Sequence, residues 1–365
     1  MKQFLVNFDW ICFLAILALT IFSLVLNYFL VPEFFSQQIF YVFLGLVIFL
    51  IFSRIDFRIW ERLGTLVYLG SIAFLLTPFA FGSITRGSLR WIKVGPFTLQ
   101  PSELTKPFLI IFFASFFSSR KESSFRTAFL GFFLLLVPLF LVFFQPDLGS
   151  SLVIAISWLG ILISTGVSLK LIIAGFFTLI VSFPLIWRFF LKEYQRQRVW
   201  GFLNARADAL GKGYNLIQSI IAIGGGQFFG RGLGRGTQSY LRFLPERHTD
   251  FIFASFAEDF GFLGVVILIL FLGILLWRVL HTAQKKGDYF ASLFCFGVFS
   301  LIFSQSFINI GMNLGLLPVT GIPLPLLSYG GNSFLATMIM LGILENICYN
   351  MRSRLSSSSQ WGNAA

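Results

Sequence analysis

Three short segments of the sequence carry ionisable side chains that could do chemistry, and each stands where a long apolar stretch begins. They are the runs QPSELTK at 100–106, QPDLGSS at 145–151 and LPERHTDFIF at 244–253. An ionisable residue in or at the edge of a membrane-spanning segment is a functional hypothesis by default, because a charge is costly to remove from water. We therefore take these three runs as the first candidates for a site.

Glu103 and Lys106 in the first run stand three residues apart, so they share one face of a helix and can pair. Pro101 and Ser102 suit the start of that helix, with Ser102 as a candidate N-cap. One interpretation is a structural ion pair at a helix end. The other is that Lys106 meets an anionic substrate while Glu103 orients it, and the sequence leaves both open.

Asp147 in the second run stands where the helix dipole favours an N-cap or first-turn carboxylate. A carboxylate at this depth could also help to hold a divalent cation such as Mg²⁺ or Mn²⁺, although one ligand is a weak indication. We expect no organic cofactor. The glycine-rich run 224–236 superficially resembles a phosphate loop, but it follows no predicted strand and lacks the Lys-Ser/Thr ending of a nucleotide site.

Asp250 in the third run precedes an apolar helix that is predicted to begin near Phe251. From residue type and position alone, capping of that helix is the ordinary role for such an Asp. The alternative is a general base that removes a proton from a substrate hydroxyl. Other side chains could contact an anionic part of the substrate. One lies in an earlier short loop and four lie in the same loop as Asp250: Arg90, and then Arg196, Arg198, Arg247 and His248.

The chain as a whole is too apolar for water to be the solvent of its surface. Its 365 residues are 57% hydrophobic and 12% charged, and Phe alone occurs 50 times. Soluble domains carry about 25% charged residues. The net charge of +12 fits the Lys and Arg that collect in short cytoplasmic loops of membrane proteins. Because no basic run has a nucleic-acid-binding pattern, we expect no nucleic-acid partner.

These properties predict an all-α polytopic membrane protein, because helices satisfy their own backbone groups in lipid. Apolar runs long enough to cross a core of about 30 Å predict about ten helices in a single integral membrane domain, 1–365. The helices are expected at about 10–31, 37–53, 64–82, 104–119, 128–144, 148–166, 169–190, 256–279, 289–312 and 332–350.

One long polar loop, about 191–255, joins the seventh and eighth predicted helices. The short loops on one side of the membrane are rich in Lys and Arg and those on the other side are poor in them, which predicts both termini in the cytoplasm. The long loop and the three candidate runs then lie on the extracytoplasmic side. Within the loop, 215–223 is too short and polar to span and is expected as an interfacial or re-entrant helix. Glu345, near the inner end of the last helix, is expected to snorkel or pair.

Seven segments in chain order resemble the SEDS family (shape, elongation, division and sporulation proteins). They are RWI at 90–92, QPSELTK at 100–106, QPDLGSS at 145–151, YQRQRV at 194–199, GKGYNLIQSIIAIG at 211–224, GLGRGTQSYLRFLPERHTDFIFA at 232–254 and NIGMNLGLLPVTGIPLPLLSYGGNS at 309–333. The version FLPERHTDFIF is more similar to the RodA branch than to the FtsW branch, which tends to differ at the position of Arg247. One departure is Asp259, where relatives usually carry a second Glu.

The resemblance implies a peptidoglycan glycosyltransferase that polymerises lipid II on the outer face of the bacterial cytoplasmic membrane during cell elongation. It places the family's essential acidic residue on Asp250 and gives importance to Glu103, Lys106 and Asp147. It also implies a class B penicillin-binding protein, a transpeptidase, as partner, together with other elongation-complex proteins and membrane lipids. The alternatives are a division-specific polymerase, a flippase or other transporter of lipid II, and a non-catalytic scaffold.

Overall fold

The computed structural model describes residues 6–85, 88–95, 97–120, 125–190, 193–203, 213–285 and 287–362. Its first half contains α1 (Trp10–Leu30), α2 (Pro32–Arg54), α3 (Phe57–Arg62), α4 (Gly64–Phe81), β1 (Ser83–Thr85), β2 (Ser88–Val94), β3 (Phe97–Leu99), α5 (Pro101–Leu104), α6 (Lys106–Ser118), α7 (Phe125–Phe144) and α8 (Leu148–Ser164). Its second half contains α9 (Leu169–Leu185), a π-helix (Ile186–Phe190), α10 (Glu193–Leu203), α11 (Tyr214–Gly225), α12 (Thr237–Tyr240), α13 (Ile252–Gln284), α14 (Tyr289–Asn313) and α15 (Gly331–Gly362).

The predicted all-α polytopic membrane architecture is confirmed, and every predicted span forms a helix. Among the described residues, eight helices are long and apolar enough to cross a membrane. Two predicted spans are shorter than expected. Leu148–Ser164 has 17 residues, and the helix predicted at 104–119 is divided into the single turn α5 and the 13-residue α6. Prolines at the first turns of both α5 and α6 favour this division, because Pro lacks the N–H that would continue a preceding helix.

Successive long helices run in opposite directions, so the loops gather at two ends of the bundle. We call the site end the one that holds the β-strands, the segment 193–251 and the loop 314–330 that joins α14 to α15. The other is the opposite end. Helix α14 packs on α6, α8 and α13, and α15 packs along α2. Because α14 and α15 are the most enclosed of the long helices, they form the frame on which the site end is built.

A small antiparallel sheet at the site end was not predicted from the sequence. Its strand order is β1-β2-β3, and Trp91 of β2 pairs with Ser83 while Lys93 pairs with Thr98. Two contacts fasten it to the bundle: the ring of Phe97 stacks on Phe40 of α2, and Asn332 Nδ2 of α15 donates to Thr98 O at 2.8 Å. The sheet thus holds β2, the strand that contains Arg90, against the site end of the bundle.

The long loop expected at about 191–255 is largely structured where it is described; its residues 204–212, including the start of the GKGYNL run, lie outside the described residues. The helix expected at 215–223 forms as α11. Its buried residues Leu216, Ser219 and Ala222 recur every third position, and α11 packs on α13. This spacing explains why a segment that is too short to span still forms a stable helix.

The glycine-rich run of the loop packs into a break in α13. Gly261 has φ +66, which interrupts the helix, and the freed N–H groups of Phe262 and Leu263 donate to Gln227 O and Phe228 O at 2.9 and 3.1 Å. A Cβ on Gly230 would lie 2.1 Å from Asp259 O, so only glycine allows this approach. The glycines therefore serve backbone pairing and not a phosphate loop.

At the opposite end, buried charges connect the start of the chain to two later helices. Arg278 Nε of α13 donates to Asp9 Oδ2 at 2.9 Å, and the Asp9 N–H donates to Glu345 Oε1 of α15 at 2.9 Å. Arg352 Nη2 lies 3.6 Å from Asp9 Oδ1. Glu345 thus accepts a hydrogen bond from the main-chain N–H of Asp9, a partner that was not identified from the sequence.

Candidate active site

Asp250 lies one residue before the N-cap of α13. The N-cap position itself is taken by Phe251, and the N–H of Ala254 in the first turn donates to Asn313 Oδ1 of α14 at 3.2 Å. An asparagine from another helix therefore supplies capping that the sequence suggested for Asp250. The Asp250 carboxylate instead faces the loop 314–330, where a Cβ on Gly321 would lie 3.3 Å from its Oδ2.

Two buried asparagines of α14 hold the main chain of Asp250. Asn309 Nδ2 and Asn313 Nδ2 donate to Asp250 O at 3.0 and 3.1 Å. The second hydrogen of Asn309 Nδ2 reaches Ile322 O at 2.7 Å. Because Ile322 and Gly321 are neighbours, the same amide fixes both the acidic residue and the loop that its carboxylate faces.

The tripeptide Thr320–Ile322 brings the separate candidate segments together. A Cβ on Gly149 at the start of α8 would lie 3.1 Å from Thr320 O and 2.8 Å from the side chain of Ile322. Arg198 Nη1 of α10 donates to Thr320 O at 3.2 Å. The tripeptide thus contacts Asp250, Arg198 and the start of α8, which are distant in sequence, and it forms the floor of one candidate site.

Beside this floor, Glu103 and Lys106 form the predicted ion pair. Lys106 Nζ donates to Glu103 Oε1, and both side chains are buried. Ser150 Oγ donates to the same Glu103 oxygen at 3.1 Å, which joins the pair to the first turn of α8. A buried ammonium whose carboxylate partner is held by a third group is a positioned positive charge, as the binding of an anion requires.

Asp147 is the N-cap of α8, as one of the two interpretations predicted. Its Oδ1 accepts from Ser150 N at 3.1 Å, and its Oδ2 accepts from Ser102 Oγ and Gln100 Nε2 at 2.8 and 3.0 Å. Burial alone would raise the pKa of the Asp147 carboxyl, but the positive charges of Arg90 and Lys106 and these hydrogen bonds bring it below its ordinary value. Asp147 is therefore held as an anion.

Arg90 reaches this cluster from β2, with Nη1 3.9 Å from Asp147 Oδ1 and its side chain partly exposed. It thus presents a positive charge at the surface of the cluster, where a charged ligand can reach it. The strand position of Arg90 was not predicted, because these short strands show no clear alternation of apolar and polar residues.

The remaining residues that were predicted to bind the substrate form hydrogen bonds outside the floor Thr320–Ile322. Arg196 Nη2 donates to Arg188 O at 2.7 Å, which turns it toward the π-helix. Arg247 Nη2 donates to Leu30 O at the end of α1 at 3.1 Å. His248 O accepts from Tyr329 N at 2.8 Å, and the two rings lie 5.5 Å apart. Arg247 and His248 thus anchor the segment before Asp250, and their part in substrate binding stays a prediction.

The oxygens around Asp147 do not resemble a metal site. Its carboxylate is surrounded by hydrogen-bond donors, from Gln100, Ser102 and Ser150, and by Arg90, all of which would compete with a cation. Within the part of the chain that the structure describes, no three His, Cys, Asp or Glu side chains are grouped to hold a metal ion. The described side chains around Asp147, three hydrogen-bond donors and the Arg90 guanidinium, do not fit a divalent cation there.

Sequence reasoning missed Asn309, Asn313 and Gly321. All three lie in the run NIGMNLGLLPVTGIPLPLLSYGGNS, which was noted only as a resemblance. A signal was present, because two Asn four residues apart on an apolar helix share one face and need buried partners. Which partners they take depends on the tertiary fold.

Comparison with known sequences gives matches over most of the chain. A family model described as cell cycle protein, FTSW_RODA_SPOVE, matches residues 2–353. Peptidoglycan glycosyltransferase MrdB of Escherichia coli strain K12 is 40% identical over 316 residues, which are 86% of this chain and 85% of that protein. Stage V sporulation protein E of Bacillus subtilis strain 168 is 36% identical over 325 residues, which are 86% of each chain.

Two solved structures share the whole architecture. A chain from a study of the structural coordination of polymerization and crosslinking by a peptidoglycan synthase complex superposes with a TM-score of 0.82 at 31% identity, covering 94% of this chain and 98% of that chain. The rod shape determining protein RodA of Thermus thermophilus superposes with a TM-score of 0.71 at 26% identity, covering 94% and 97%. The order and packing of the helices are therefore those of the structures it resembles.

Proposed function

This chain belongs to the FtsW, RodA and SpoVE family of cell cycle proteins, and from that premise we infer that it is a peptidoglycan glycosyltransferase that polymerises lipid II. Its similarity to MrdB and RodA supports a role in cell elongation. The seven sequence segments that led to this expectation include all the residues that the fold assembles around Thr320–Ile322.

The observation that carries the mechanism is the setting of Asp250. Its main chain is held by two buried asparagines, its neighbour Phe251 takes the N-cap position, and its carboxylate faces the loop 314–330. A carboxylate whose main chain is fixed by two buried amides and which faces a loop of the site end suits a general base. We propose that Asp250 removes the proton from the 4-hydroxyl of the acceptor sugar, a contribution of about 10²–10⁴-fold in rate.

The hydroxyl oxygen then attacks the anomeric carbon of the donor, the bond to the lipid pyrophosphate breaks, and the configuration inverts from α to β. One displacement needs one base and no covalent sugar–enzyme intermediate, so a second nucleophilic carboxylate is unnecessary. Glu103 and Asp147 are accordingly free to hold other groups, and the structure places both in hydrogen-bonded, charge-paired positions.

The leaving pyrophosphate is already a weak base, so it needs charge stabilisation more than a proton. Lys106, Arg198 and Arg90 supply positive charge next to the floor, and Arg196, Arg247 and His248 are further candidates in the adjoining segments. We retain a divalent cation, Mg²⁺ or Mn²⁺, only as a prediction to be tested, since Asp147 would first have to release its present donors.

The multi-span fold places the enzyme in a membrane, and we propose the bacterial cytoplasmic membrane with both termini inside and the site end outside. The excess of Lys and Arg in the loops of the opposite end supports that orientation. As partner we propose a class B penicillin-binding protein, supported by the fold shared with a chain of a peptidoglycan synthase complex. It would crosslink the strand that this chain polymerises, within a larger elongation assembly.

Polymerisation of purified lipid II by the purified protein tests the proposal, with and without the transpeptidase and with and without a chelator. Glycan strands formed by the wild-type protein are the expected result. The absence of any product under all four conditions would contradict the proposed activity. Product that forms without chelator and is lost when chelator is added would establish the metal requirement.

A further inference from the structure

The two asparagines of α14 form a connected, fully buried network at the end of that helix. Asn309 and Asn313 are both 0% exposed. Asn313 Nδ2 donates to Asn309 O at 2.8 Å as well as to Asp250 O. Ser219 Oγ of α11 donates to Asn313 O at 2.8 Å. The network therefore joins α14 to Asp250, to Ile322 and to α11.

The amide donors of this network point mainly at main-chain carbonyls. The Asn309 amide donates to the carbonyls of Asp250 and Ile322, and the Asn313 amide donates to those of Asp250 and Asn309, with Asn309 Oδ1 a more distant acceptor at 3.4 Å. The Asp250 carbonyl thus accepts from both. Helix packing alone needs only apolar side chains here, so two buried amides aimed at one carbonyl indicate a requirement for precise placement of Asp250.

We propose that Asn309 and Asn313 are positioning residues that set the distance between the Asp250 carboxylate and the floor Thr320–Ile322. This inference rests on the proposed function, because it gives both side chains a role in that reaction. Asn309 determines the spacing directly, since its one amide holds the residue that bears the carboxylate and the residue next to Gly321. Asn313 fixes the direction of α13 through the Ala254 N–H.

The physical reason is the steep dependence of proton transfer on geometry. A displacement of about 1 Å at a reacting group can cost about 10²-fold in rate. When the Asn309 amide is lost, the Asp250 side chain is still present, but the loop and the residue that bears the carboxylate are no longer held by one group. The rate of the chemical step should therefore fall, while binding of the lipid substrate is preserved.

The test compares Asn309→Ala and Asn313→Ala with a matched control, Asn346→Ala. Asn346 is also buried and also bridges elements, donating to Ser53 O at 3.0 Å and accepting from Phe57 N at 3.0 Å, but at the opposite end. Each full-length protein is purified with its transpeptidase. The kcat and KM for lipid II and the thermal midpoint are then measured.

We expect Asn309→Ala to lower kcat by about 10²-fold while KM stays within about threefold, because only the transition state is affected. Asn313→Ala should lower kcat less. Asn346→Ala should lower the thermal midpoint to a similar extent and leave kcat unchanged. If kcat follows the thermal midpoint across all three variants, or if KM rises as kcat falls, the asparagines are only structural and the inference is overturned.

A second variant covers the case in which Asn309→Ala does not fold. Asn309→Ser keeps a small hydroxyl that can bond within its own helix but is too short to hold Asp250 O and Ile322 O together, so a similar loss in kcat is expected. The activity of the wild-type protein distinguishes failure of the proposed function from failure of this inference. A wild-type protein that makes no glycan contradicts the proposed function, whereas an active wild type with an equally active Asn309→Ser contradicts only the positioning role.

Discussion

Gly321 and Asp250 approach so closely that a single added methyl group would touch the carboxylate, 3.3 Å from Oδ2. Gly321 also has φ +75, a conformation that L side chains rarely adopt. Glycine is therefore favoured for two reasons where the loop between α14 and α15 meets Asp250. A side chain would contact the carboxylate, and the positive φ would strain any other residue.

Gly321→Ala is expected to reduce polymerisation at least tenfold through the contact with Asp250, and to cost about 1–2 kcal/mol in stability from the left-handed backbone. Gly166→Ala is the matched control, because Gly166 has φ +79 but a Cβ there would meet nothing within 4 Å. The two variants should lose similar stability, measured by thermal unfolding in detergent. Equal polymerisation rates would show that the contact at Gly321 has no effect on catalysis.

Asp250→Asn is expected to abolish glycan polymerisation from purified lipid II while folding and partner binding remain intact. The amide keeps the shape of the side chain but cannot accept a proton at neutral pH. Asp288→Asn, at the N-cap of α14 at the opposite end, controls for the same chemical change. Undiminished polymerisation by Asp250→Asn would rule out Asp250 as the general base. If this variant still polymerises lipid II but no longer transports it across the membrane, the result would instead indicate a flippase.

Lys106→Met leaves Glu103 as a buried carboxylate without its cation, which should cost about 3–5 kcal/mol in stability. Adding Glu103→Gln removes that charge, so the double variant should regain most of the stability. If Lys106 also stabilises the leaving pyrophosphate, the double variant still polymerises about 10²-fold more slowly than the wild type. A stable double variant with wild-type activity would make the pair purely structural. Thermal unfolding and initial rates decide between the two.

The ionisation of Asp147 should contribute stability that depends on pH in one direction. Because its pKa is lowered in the folded protein from the ordinary value of 3.8, the contribution is present above that value and is lost as the pH falls through the folded pKa. The thermal midpoint of the wild type should therefore exceed that of Asp147→Asn at neutral pH, and the difference should shrink below about pH 4. A difference that stays constant on acidification would contradict this.

The sequence predicted the residues of the site better than their arrangement. Asp250, Asp147 and Lys106 were found because charges are conspicuous at the edges of apolar runs, and the helices were found because length and hydropathy are local properties. The capping role suggested for Asp250 went to Asn313, which is 63 residues away in the chain. No local pattern could assign Gly230 to the break at Gly261, or Gly321 to Asp250, because each pairing depends on how two helices pack.

The buried cluster of Asp9, Arg278 and Glu345 has a consequence for how the protein is made. Asp9 precedes Arg278 by 269 residues and Glu345 by 336. A ribosome adding about 5–20 residues per second needs tens of seconds to produce those partners. During that interval, α1 is already in the membrane with its acidic end still unmatched. Closure of the opposite end is therefore among the last steps of biogenesis, after insertion of the final helix.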